Sequence, residues 1–171
     1  MPEHFWHLLA VAAIVVAPVA IILGFKRYDA AEWRPTPKRV AAAVPGGRAG
    51  VAWASAGAGL IHLAVCPSHF KEATAFGLFF AAAAAAQLWW AAAVWRNPTQ
   101  RLLTIGAVGN AAVLALWLVT RTVGLPFGPE PGVAEAVGRP DLFAGVVELY
   151  IVAVVAVGFT VRRIPARGAS S

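Results

Sequence analysis

The chain has 171 residues, is 60% hydrophobic with a mean hydropathy of +0.70, and is 13% charged, about half the charged share of a soluble domain. A soluble fold of this size cannot hide so much apolar surface, whereas a bilayer accepts it, so the composition excludes a water-soluble globule. The formal charge of +6 would point to nucleic acid in a soluble protein; here the basic residues sit between apolar runs, where they report topology and call for no nucleic-acid partner.

The apolar runs are continuous and rich in Ala, Leu and Val, without the alternation of a membrane barrel, so they are read as helices. The first covers residues 5–25. Its front end, MPEHFWH, has no Lys or Arg, and Lys26 and Arg27 follow it. With no small-residue cleavage site after it, it is read as a retained transmembrane helix with its N-terminus outside, kinked at Pro18. Residues 26–48 form a loop with six basic residues, Lys26, Arg27, Arg34, Lys38, Arg39 and Arg48, which marks the cytoplasmic side.

The second run, residues 50–66, is stopped by Pro67; its Ser55, Gly57 and Gly59 allow another backbone to approach closely. The third, residues 73–95, contains six consecutive alanines at 81–86, and Trp89, Trp90 and Trp95 gather toward one end as an aromatic belt. A short turn holding Arg96 and Arg101 leads to the fourth run, residues 102–122, with Asn110 near its middle and Arg121 near its end. The segment GLPFGPEPG then breaks regular structure, and Glu130, Glu135 and Asp141 make the approach to the fifth run acidic. That run covers residues 142–161, with Asp141 as N-cap and Glu148 about two turns inside. Residues 162–171 are a basic tail with Arg162, Arg163 and Arg167.

The expectation is an all-α integral membrane bundle of five transmembrane helices, one domain over residues 1–161, N-terminus outside and C-terminus cytoplasmic, in the plasma membrane. Eleven of the 14 Lys and Arg then fall on the inner side, the other three being Lys71, Arg121 and Arg139. The topology carries all four histidines toward the outer face. His62 and Glu148, on different helices, come to similar depth, with His69 and Glu72 in the short outer connection.

Ionisable groups at membrane depth are costly and usually face a bundle interior or an aqueous cavity. The leading expectation is a transition-metal site, copper before zinc, near the extracytoplasmic face. His62 and Cys66, at i and i+4, share a helix face; His69 follows, and Glu148 or Glu72 would complete a shell of imidazole, thiolate and carboxylate. Such a site would serve metal handling, redox or sensing. A second reading is non-covalent haem b between His7 and His62, with His69 as a substitute. A third is quinone or lipid binding between helices, with His62, Glu148 and Arg121 as polar anchors against Trp117 and Phe79. A fourth makes the chain a structural subunit of a larger membrane complex or a homo-oligomer, packed through its Ala- and Gly-rich faces. Against each stands a plain structural role: His62 bonding a neighbouring helix, Cys66 a small buried hydrophobe, Glu148 and Arg121 an ion pair. Whether the chain is an enzyme is left open; nothing like a helical His-Glu-x-x-His pattern is present.

The stretches HLAVCPSHFKE, RTVGLPFGPEPG and RPDLFAGVVELY are similar to a group of small multipass membrane proteins from high-GC, actinobacterial-type bacteria. The resemblance covers residues 50–160, implies no activity, and transfers no functional residue.

Overall fold

The computed structural model describes residues 46–161. The helix expected over residues 5–25, with His4 and His7, lies outside the described residues, as do the basic loop up to residue 45 and the tail from residue 162. Among the described residues the structure is all-helical: α1 (Gly47–Glu72), α2 (Thr74–Arg96), α3 (Gln100–Thr122) and α4 (Arg139–Val161). Each is long and apolar enough to cross a membrane.

The boundaries show where local chemistry departs from the expectation. Pro67 does not end α1, which runs one and a half turns past it to Glu72. Proline removes one backbone N–H and crowds the carbonyl of the preceding turn; here its ring is exposed, away from the helix interface. His69 and Glu72 therefore stand in the last turn of a helix and not in a loop. Thr99 caps α3, its hydroxyl accepting from the Leu102 N–H at 3.2 Å. Asp141 is not the N-cap of α4. It lies in the first turn, and its carboxylate reaches back to the Gly138 N–H at 2.9 Å, as the third helical residue does in a capping box.

α1 and α2 form the most closely packed pair, joined only through the extended Ala73. Their register is antiparallel and set by small residues. The Ser55 hydroxyl donates to the Gln87 carbonyl at 2.8 Å, and a Cβ on Gly59 would stand 3.2 Å from the Ala84 carbonyl. Further along, the Cys66 thiol donates to the Gly77 carbonyl at 3.4 Å. α4 packs against both α1 and α3, and α2 touches α3 more lightly.

Each helix buries one stripe. On α1 it is Val51, Ser55, Ala58, His62 and Cys66; on α4 it is Ala144, Glu148, Ile151 and Val155. The steps of three and four are the spacing of one helix face. The opposite face of α4 shows Phe143, Val146 and Leu149, each more than half exposed, a surface suited to hydrocarbon and not to water. At one end of the bundle Val51, Trp90, Val94, Leu103, Ile151 and Val155 close a dry core. The Trp90 ring lies so near Gly106 that a Cβ there would fall 2.1 Å from it, and its N–H donates to the Leu102 carbonyl at 2.6 Å.

The other end holds the α1–α2 junction and the loop after α3. Gly124 turns that loop at φ 72°, with the Val133 backbone so close that a side chain has no room. The Glu135 N–H returns to the Thr120 carbonyl at 2.9 Å and lays the loop across the end of α3.

Candidate functional site: a buried polar network beneath an aromatic cavity

Midway along the bundle buried polar side chains from all four helices meet: His62 from α1, Gln87 from α2, Asn110 from α3 and Glu148 from α4. They form one connected network. His62 Nε2 and Gln87 Nε2 both lie 2.9 Å from the same Glu148 oxygen, Oε1. The Gln87 amide also donates to Asn110 Oδ1 at 3.3 Å, and Asn110 Nδ2 donates to the Gly106 carbonyl at 2.7 Å, ending the chain on the backbone. Glu148 Oε1 accepts from Gln87 and pairs with His62 Nε2. A buried carboxylate persists in such surroundings only when paired and hydrogen-bonded, and Glu148 is 2% exposed.

Above the network, toward the loop end, lies a cavity of about 90 Å³ between α1, α2, α3 and α4. Its floor includes His62 and Glu148, and its walls are aromatic: Phe76, Phe79, Phe80 and Trp117. It opens into a wider recess of about 600 Å³ with which it shares Val65, His69, Arg121 and Asp141. Phe80 separates the two histidines of α1. The His69 ring stacks flat on it at 3.8 Å between centroids, and the His62 ring stands tilted against it at 5.4 Å.

Arg121 organises the mouth. One terminal nitrogen donates to Asp141 Oδ2 at 2.7 Å; the other donates to Glu135 and to the Thr120 hydroxyl. Its charge is thereby outnumbered by two carboxylates. Two residues of the lining carry a buried N–H with no acceptor, Nε1 of Trp117 and Nε of Arg121. On α3 the two residues are four apart, so they lie one above the other on one face.

The expected site residues divide as follows. His62 and Glu148 meet, from separate helices and at one depth. His69 pairs with Glu72 instead, Nδ1 to Oε2 at 2.9 Å, at the mouth of the recess. Cys66 is buried on the His62 stripe, but its thiol turns to the α2 backbone. Arg121 pairs with Glu135 and Asp141, so the ion pair between Arg121 and Glu148 is not formed. Among the described residues no three of His, Cys, Asp or Glu come close enough to hold a metal ion together; His7 lies outside them. Gln87 is the member that sequence reasoning passed over, although a lone amide between an alanine run and Leu88-Trp89 was the available signal.

Compared with known proteins, the chain matches no protein-family model, no curated sequence and no solved structure.

Proposed function

We propose that the protein is a multi-pass plasma-membrane protein that binds a small lipophilic molecule, of quinone or lipid type, in the cavity above the His62–Glu148 pair. The observation that carries this reading is the lining. His62, Phe79, Trp117, Arg121 and Glu148, drawn from all four helices, border one space. Ligand pockets combine mostly apolar walls with a few placed polar groups, and helix bundles form them between helices. An engineered cavity of about 150 Å³ holds benzene; the inner cavity, at about 90 Å³, takes only the leading edge of a planar head, and the wider recess of about 600 Å³ with which it shares its lining takes the rest. In this reading the helix over residues 5–25 makes a fifth span, the N-terminus lies outside and the cavity opens on the extracytoplasmic side, as the basic loops favour.

The test is binding by the full chain in lipid nanodiscs, with 2-methyl-1,4-naphthoquinone as probe and empty nanodiscs as reference. We expect saturable binding that Gly145→Leu weakens at least tenfold. Gly145 borders the cavity, and a Cβ there meets only Leu114, at 3.7 Å, so the larger side chain fills the space and spares the network. An optical spectrum and metal analysis of the same preparation separate the other readings. A Soret band would replace this one with haem. Stoichiometric copper or zinc that disappears in His62→Ala would replace it with the metal site.

A further inference from the structure

We infer that the cavity selects a ligand whose head is a neutral hydrogen-bond acceptor, a carbonyl of quinone or ketone type, and that Trp117 and Arg121 are the residues that recognise it; the inference rests on the pocket reading above. A buried N–H without a partner is rare and costly. Here two such groups, Trp117 Nε1–H and Arg121 Nε–H, belong to side chains that line one cavity, and neither can be satisfied by an apolar molecule. Both are donors only, so what satisfies them must present oxygen or nitrogen lone pairs. A cationic head has none to spare.

An anionic head would also accept from these donors, and charge decides against it. At the mouth two carboxylates, Glu135 and Asp141, face the single guanidinium of Arg121, while Glu148 at the floor is paired with His62. The terminal nitrogens of Arg121 are already engaged by Glu135 and Asp141. A carboxylate or phosphate entering would meet net negative charge in a setting of low dielectric, which is strongly unfavourable. A neutral carbonyl takes the free Nε–H without adding charge. The cavity also has room for it at the right height. Asp141, which holds Arg121, and Glu148 are seven residues apart on α4, about 10 Å along its axis, enough for one planar ring between the mouth and the network, flanked by Phe79 and Phe80.

The experiment compares three probes of one shape on the unmodified protein in nanodiscs: 2-methyl-1,4-naphthoquinone, 2-methylnaphthalene and 2-naphthoate. The expected order is quinone tightest, the hydrocarbon about tenfold weaker, since one hydrogen bond to an otherwise unpaired donor is worth about that factor, and the anion weaker than the quinone. Trp117→Phe keeps a ring and removes one N–H; it should narrow the ratio of quinone to hydrocarbon affinity, both measured on the variant, to about threefold. If the hydrocarbon binds as tightly as the quinone, or the anion binds tightest, the carbonyl inference is overturned and the pocket stands. If no probe saturates, the pocket reading itself has failed.

Discussion

Replacing Glu148 by alanine is expected to lower the stability of the bundle by about 3 kcal/mol, the largest effect of any single substitution at the site. The Glu148 carboxyl is the hub of the network: one oxygen bonds to both His62 and Gln87. Its removal strands two buried polar groups from two other helices, each costing about 1–3 kcal/mol when left unsatisfied. Interhelical hydrogen bonds between membrane helices average less than this, since the unfolded state also finds partners, so the estimate sits at the low end of the range for breaking a buried pair. Glu148→Gln keeps an acceptor oxygen and should lose about 1 kcal/mol. Reversible unfolding in mixed detergent micelles measures both. His62→Ala combined with Glu148→Ala should be less damaging than the sum of the two, with a coupling of about 1 kcal/mol or more. Additivity, or a loss near zero for Glu148→Ala, would mean that the pair is not joined.

The second large effect is expected at Arg121. Arg121→Leu leaves Asp141 and Glu135 facing each other without their shared cation, at a place where Arg121 and Asp141 are mostly buried. Asp141 also secures the start of α4 through the Gly138 N–H, so the damage should concentrate in the loop between α3 and α4. Hydrogen exchange of the Glu135 amide, which is bonded to the Thr120 carbonyl, should accelerate about thirtyfold, corresponding to about 2 kcal/mol of local stability. Amides in the Val51–Trp90 core should be unaffected. Uniform acceleration along all four helices would contradict a role confined to the mouth; no acceleration would contradict the clamp.

Much of this architecture can be read from the chain because membrane depth is a one-dimensional constraint. Once the basic loops assign sides, the position of a polar residue along its apolar run gives its height, and His62 and Glu148 fall at the same level. Their side chains then have to meet or face hydrocarbon, and they meet at 2.9 Å. Azimuth is harder to read. Whether Arg121 turns to Glu148 or to Asp141 depends on the rotation of α3 about its axis and on the path of a loop rich in proline and glycine, neither of which leaves a periodic signal. Pro67 misleads for a related reason. A proline removes one backbone hydrogen bond and crowds the preceding turn, and whether the helix runs on depends on the packing beyond it, here the His69 ring on Phe80, which emerges only from the α1–α2 pairing. Gln87 escaped because an amide in an alanine-rich helix looks the same whether it faces a neighbour or its own backbone; its role appears only when Asn110 and Glu148 are placed beside it.

The proposed function requires that the cavity above the polar junction of the four helices hold a ligand. The most direct measurement is photolabelling of the full chain in nanodiscs with an azido derivative of 2-methyl-1,4-naphthoquinone, followed by mapping of the modified residues. The prediction is label on Trp117, Phe80 or Val65 that excess unmodified quinone displaces. Label confined to the lipid-facing stripe of Phe143, Val146 and Leu149, and indifferent to the competitor, would contradict it.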